Sequence, residues 1–349
     1  MNSVRSWMLG ALVFGGAFLL WSVLSGALST VLLLFTGVLV AAGLRPIVDR
    51  MSRRVPFGAA VGITVAAVLL VAAVVGLVLI QPVGAELVKL AQALPVYMKA
   101  LQAQLVAVQR HFANDETAHR VASALAGSAG GAASAIGLGI LGGTAVVATM
   151  IGDLVLIVLL AVGWMLSSDD LERFVLSLIP PKTRATWKDA FADIQRRLGA
   201  YVQGVVVNGT VVGVLMAGLL ALLGVPYALL LGVIAATFQA IPMVGAVISG
   251  AVILLVVLAT SGWTKMLIAL LIFAIVQTID QNVLSPIIFG KGLQLSFLVI
   301  ILATVVGGTL LGIGGAFLAV PAAAVLQVIV VRIVAPAIRR SYDRQERVA

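Results

Sequence analysis

Two acids lie inside long apolar runs of this sequence, Asp153 and Asp280. An ionisable side chain at membrane depth is a functional hypothesis by default, because burying its charge is expensive. Asp280 belongs to a polar cluster, Gln277-Thr-Ile-Asp280-Gln281-Asn282, at the end of an apolar run. Gln277 and Asp280 are three apart and so share one face of a helix. Gln239 and Asn208 bring uncharged polar groups into neighbouring runs. Together these side chains can line a path for a polar solute or a cation. A carboxylate there stays charged only beside water, a cation or a hydrogen-bond donor; otherwise it takes up a proton, which suits proton coupling. The competing reading has Asp280 capping a helix at the membrane interface and Gln239 satisfying backbone freed at Pro242. For Asp153, near the outer end of its run, the structural reading is preferred.

Other chemistry is excluded by what the chain lacks. It has no cysteine, which removes disulfides, thiolate metal sites and cysteine nucleophiles. Its two histidines, His111 and His119, lie in a polar stretch without a further ligand cluster, so no metal site is expected. The string Gly137-Leu-Gly139-Ile-Leu-Gly142 matches a dinucleotide fingerprint. No strand precedes it and no βαβ unit surrounds it, so no cofactor is implied. There is no P-loop, no HExxH pair and no serine with a plausible histidine partner. The chain therefore reads as a non-enzyme, and transport by it would be secondary, driven by gradients. The net charge of +9 does not point to nucleic acid, because the basic residues flank apolar runs as the positive-inside rule expects.

These residues are positioned by helices that must live in lipid. Of 349 residues, 62% are hydrophobic and 10% charged, and the mean hydropathy is +1.20. A soluble protein of that composition would have almost no polar surface, so an integral membrane protein is expected. Residues 1–80 read as three N-terminal spans. The first, 7–24, competes with a signal peptide; the second, 28–44, starts at once and favours an uncleaved hairpin. The basic loop 45–54 holds Arg45, Arg50, Arg53 and Arg54 and leads to the third span, 59–80. Residues 81–143 read as an extracytoplasmic amphipathic segment, with Leu101, Leu105, Val108 and Phe112 at helical spacing. A span over 144–166 returns the chain to the cytoplasm. Residues 167–203 form a second amphipathic segment, broken at Pro180 and Pro181, with Trp187, Phe191, Ile194 and Leu198 on one side of a helix. Residues 204–333 make the transport core, and 334–349 a basic tail with Arg339, Arg340, Arg344 and Arg347. The distribution of arginine and lysine places both termini in the cytoplasm.

Within the core, a ridge of small residues, Gly209, Gly213, Ala217 and Ala221, recurs every four residues and allows close helix approach. Two apolar runs, 228–259 and 297–331, are too long to be one simple span of ~20 residues. The first is interrupted at Phe238-Gln-Ala-Ile-Pro-Met-Val-Gly245, the second at Gly307-Gly-Thr-Leu-Leu-Gly-Ile-Gly-Gly315. Lipid offers no hydrogen bonds to freed backbone, so such breaks survive only where protein or a water-filled cavity covers them. Paired interruptions of this kind are the best sequence pointer to a transporter's substrate site. Pro242, Gly245, Gly312, Gly314 and Gly315 thus join Asp280, Gln277, Gln239, Asn208 and Asn282 as candidate residues of a solute or ion path. The expected architecture is an all-α, polytopic helical bundle whose C-terminal half contains two interrupted segments, either broken or re-entrant.

Several strings then carry a resemblance: Gly224-Val-Pro-Tyr227, Ile241-Pro242-Met-Val-Gly245, Gln277-Thr-Ile-Asp280-Gln-Asn282-Val-Leu-Ser-Pro286, Gly307-Gly308, Gly312-Ile-Gly314-Gly315 and Ala319-Val-Pro321. With Arg45-Pro46-Ile-Val-Asp49 and Ala93-Leu-Pro95-Val-Tyr97, the chain resembles the autoinducer-2 exporter family of bacterial and archaeal membrane proteins over nearly its whole length. It departs at Asp280, where that family usually has glutamate, and at Ala246, where proline often follows the Ile-Pro-x-x-Gly motif. The resemblance implies a multi-spanning plasma-membrane exporter of small polar solutes, autoinducer-2 among them. It also implies a homo-oligomer, with a pentamer as one candidate, and sodium/proton antiport in some members. An antiporter using Asp280, with Na+ or H+ as the coupling ion, is the alternative. A membrane scaffold that transports nothing is the reading from another class.

Overall fold

The structure is a computed structural model that describes residues 30–111, 143–241, 244–289, 295–336 and 338. Among these, all regular structure is helical. The helices are α1 (Thr30–Met51), α2 (Phe57–His111), α3 (Gly143–Ser177), α4 (Arg184–Leu222), α5 (Ala228–Phe238), α6 (Val244–Ile279), α7 (Ser285–Phe289) and α8 (Phe297–Ile329). Among the described residues, six segments are long and apolar enough to cross a membrane. The chain is a multi-pass, all-α membrane protein. The expected span at 7–24, the segment 112–142 and the tail from 339 lie outside the described residues, as do His119 and Pro242.

Membrane residence is legible on α2. Its most apolar window is only 6% buried, and Leu70, Leu77, Val78 and Ile80 are each more than 60% exposed. In water such a surface would aggregate; in lipid it is the outer face. The helix does not stop at position 80. It continues to His111 through Pro82 and Pro95, so the apolar span and the amphipathic segment after it are one rod of 55 residues, about 80 Å at 1.5 Å per residue.

The chain divides into two compact units. The first contains the described parts of 1–46, 153–199 and 295–349. Small residues let its helices touch: a side chain at Gly37 would strike Leu160, and one at Gly199 would strike the Ala42 carbonyl. Helix α8 is two legs, 297–311 and 313–329, joined at Gly312, whose φ of 63° and ψ of −148° are outside the helical range. Residues eight apart in a straight helix are ~12 Å distant, yet a Cβ at Gly307 would meet the Gly315 carbonyl, and a Cβ at Gly315 the Gly307 carbonyl. The legs therefore fold back on each other as a helical hairpin. Gly312 supplies the left-handed dihedral that the reversal needs.

The second unit contains 47–152 and 200–294. Here α4 and α5 pack antiparallel along the small-residue ridge: Gly209 faces Ala236, Gly213 faces Gly232 and Ala236, and Gly232 faces Ala217. Ala221, the fourth member of the predicted ridge, is exposed. After α5 the chain reverses and enters α6, itself two legs, 244–261 and 263–279, that bend at Gly262 (φ 80°, ψ −178°). Gly250 on one leg lies against the Phe273 ring on the other, so these legs too are antiparallel. Val212, Met216, Leu220, Leu231, Ile253, Val257 and Val276 make the buried core of this unit.

Candidate functional site

Of the polar residues picked out by type and spacing in the second unit, Asn208, Gln277 and Asp280 are buried and Gln239 is half-buried. Asp280 is 4% exposed. It does not end its helix: α6 passes into a π-helical turn, Asp280–Leu284, and then into α7. Helix capping therefore does not account for it. A π-turn widens the helix by one residue, re-aims the side chains around it and is often found at functional sites. One carboxylate oxygen accepts a short hydrogen bond from Gln239 Nε2. The other accepts one from Ser285 Oγ at 3.3 Å.

Gln239 stands at the end of α5, where the helix gives way to the reversal. Its backbone N–H still bonds Ala235, and its side chain turns to Asp280 rather than to freed backbone. Another residue serves that backbone: the buried Tyr201 hydroxyl donates to the Ala240 carbonyl at 3.3 Å. On the far side of the turn the Gly245 N–H bonds the Ile241 carbonyl at 2.8 Å and opens α6. Gly245 is there because α5 and α6 approach so closely that any Cβ would overlap the Phe238 carbonyl.

Gln277 and Asn208 are further polar candidates in this unit. They are 8% and 3% exposed, and neither Gln277 Nε2 nor Asn208 Oδ1 has a hydrogen-bond partner among the described residues. Asn208 lies on the buried face of α4, between Gly204, which packs on the Phe289 ring, and Val212, which shares a core with Val276. Gln277 and Asp280 occupy the matching stretch between Val276 and Phe289. Buried polar atoms are almost always paired with protein or ordered water. The unit that holds the paired carboxylate thus also holds a buried donor and a buried acceptor without protein partners among the described residues.

The remaining candidates divide differently. Asn282 is exposed and donates to its own helix at the Thr278 carbonyl, 2.8 Å away, so it is not one of the buried residues. Pro242 lies outside the described residues. Gly312, Gly314 and Gly315 belong to the other unit, where Gly312 forms the reversal and Gly315 the close contact with Gly307. Asp153, also in that unit, is exposed. Among the described residues no group of acids and histidines could hold a metal ion.

Sequence reasoning missed three supports. Glu86, on α2, accepts the Leu230 N–H at 2.8 Å, placing a carboxylate at the positive N-terminus of α5. Lys265 donates to the Gly224 carbonyl at 2.9 Å, a cation at the end of α4. Tyr97 and Tyr227 share a hydroxyl contact of 3.1 Å; burial and that bond push the Tyr227 phenol up to about 12. Isolated residues in polar or interfacial stretches carry no periodic signal. Only the helix end left in want of a partner, after Gly224-Val-Pro-Tyr227, could have pointed to them.

The chain is similar in sequence to known proteins. The profile described as AI-2E family transporter matches residues 9–335. YrrI and YueF of Bacillus subtilis, whose names propose a transport role, are 34% and 35% identical over 161 and 162 residues. Those stretches cover 46% of this chain, 45% of YrrI and 44% of YueF. The AI-2 transport protein TqsA of Escherichia coli is 29% identical over 143 residues, 40% of this chain and 42% of its own. The chain thus aligns with under half the length of each of these relatives.

Proposed function

The chain belongs to the AI-2E transporter family, and from that premise we propose that it is a secondary transporter exporting a small polar solute, an autoinducer-2-like signal or a related metabolite. The observation that carries this reading is the buried Asp280 paired with Gln239, in one unit with buried Asn208 and Gln277, whose amide acceptor and amide donor lack protein partners among the described residues. A small polyhydroxylated molecule can satisfy both. The name of TqsA, an AI-2 transport protein, supports the solute class. Membership in a family of transporters is in keeping with a chain that does no catalysis. We place the protein in the plasma membrane, and the basic residues at 45–54, 173–197 and in the tail favour both termini in the cytoplasm. We take the working unit to be a homo-oligomer, with a pentamer as one candidate.

A second reading rests on Asp280 itself. A buried carboxylate held by two donors can exchange Na+ for H+, which would make the protein an antiporter. Proteoliposomes separate these readings. We expect efflux of a labelled furanone-type solute without coupled proton movement. Cation-dependent proton flux without solute movement selects the antiporter, and neither flux selects a scaffold and removes the transport proposal.

Orientation has its own test, helped by a chain without cysteine. Ser52→Cys is expected to resist an impermeant maleimide in intact cells and to react after permeabilisation. Labelling in intact cells would invert the topology.

A further inference from the structure

We propose that the first unit holds a site for an acyl chain of an anionic membrane phospholipid, with Arg45 receiving its phosphate. This site is separate from the Asp280–Gln239 pair and does not depend on the transport reading. It is a cavity of about 420 Å³ walled by α1, α3, the first half of α4 and the end of α8. That volume falls within the ~300–1,000 Å³ of small-molecule sites. The wall is apolar, with Phe35, Trp164, Trp187, Phe191, Ile194 and Leu198 prominent, and only Arg45, Ser168 and Gln195 bring polar side chains to it. The stripe Trp187–Phe191–Ile194–Leu198, which in sequence reads as the face of a surface helix, is thus the wall of a pocket. A polar solute entering it would lose its hydration and find few partners. A hydrocarbon chain loses nothing there, and two indoles suit the level where chain meets headgroup.

Charge selects the headgroup. Arg45 donates to Ser168 Oγ at 3.0 Å and to Asp169 Oδ1 at 3.4 Å. The Asp169 side chain is 67% exposed, and so open an ion pair is weak. A phosphate, which matches the guanidinium fork with two oxygens, can take its place. The same helices carry a second excess of positive charge. Asp193 is ringed by Arg332 at 3.1 Å, Arg197 at 3.3 Å and Arg196 at 3.9 Å, one carboxylate among three guanidiniums. Ile194, next to Asp193, and Ile333, next to Arg332, line the cavity. Clustered arginines beside an apolar chain site attract anionic lipid.

The test reads the two tryptophans in the wall. Trp7, Trp21 and Trp263 are replaced by phenylalanine in the full-length protein, which is reconstituted in phosphatidylcholine vesicles. Dibrominated phosphatidylglycerol or dibrominated phosphatidylcholine is then titrated in as a quencher. The expected result is half-maximal quenching at about a fivefold lower fraction of the anionic lipid, the preference expected from one basic residue at the membrane surface. Arg45→Gln should abolish that preference, and Asp169→Asn, which removes a negative charge beside the guanidinium, should raise it. Ala190→Phe, which adds a ring at a lining position only 1% exposed, should lower the maximal quenching. Because Asp169 is exposed, its variant reads the site even if Arg45→Gln fails to fold. Equal quenching by the two lipids overturns the proposal, as does a preference untouched by Asp169→Asn. Quenching by neither, as when a second copy or another segment of this chain fills the cavity, overturns it as well.

Discussion

Gly245→Ala will lower the thermal midpoint of the purified protein by about 5–10 °C, whereas Gly218→Ala will leave it unchanged or raise it slightly. Both substitutions add one methyl group to a helical glycine, and their surroundings are opposite. A Cβ at Gly245 would overlap the Phe238 carbonyl oxygen and crowd its carbon, backbone atoms that cannot swing away. The reversal between α5 and α6 would have to open, and overpacking of this kind costs about 1–3 kcal/mol or more. For proteins of about 150–250 residues each kcal/mol moves the midpoint by roughly 2–4 °C. A Cβ at Gly218 meets nothing within 4 Å, and alanine is the better helix former by about 1 kcal/mol. Thermal unfolding followed by size-exclusion recovery measures both. Equal midpoints would mean that α5 and α6 do not lie as close as Gly245 requires.

Asp280→Asn is expected to cut solute flux in proteoliposomes by about tenfold or more, with oligomer size and expression unchanged. The carboxylate accepts from Gln239 on one oxygen and from Ser285 on the other. An asparagine amide presents a donor to one of those donors, and an unsatisfied buried polar group costs about 1–3 kcal/mol, enough for that loss. Gln239→Ala removes one donor and leaves Ser285, so its flux should fall less. Asp280→Glu keeps the charge on a longer arm and should retain more activity than the asparagine variant. Flux measured at several pH values extends the test: a carboxylate that exchanges protons during transport gives a pH dependence that Asp280→Asn flattens. Unchanged flux and pH profile in both Asp280→Asn and Gln239→Ala would reduce the Asp280–Gln239 pair to a packing device.

How much of this could be read from sequence follows from what each signal measures. Hydropathy reports the solvent around a segment, and lipid demands ~20 apolar residues per crossing, so membrane residence and the excess length of the runs at 228–259 and 297–331 were visible. Helical periodicity reports neighbours along one helix. It put Gln277 and Asp280 on one face, aligned Gly209, Gly213 and Ala217, and gathered Trp187, Phe191, Ile194 and Leu198. None of these signals says what a face meets. The tertiary structure brought Gln239 to Asp280 across 41 residues, Tyr201 to the Ala240 carbonyl across 39, and Glu86 to the start of α5 across 144. It turned α8 back at Gly312 and closed the tryptophan stripe into a cavity. Those outcomes depend on the angle at which each reversal returns the chain and on which small residues permit approach, and such distances are set between helices rather than within them.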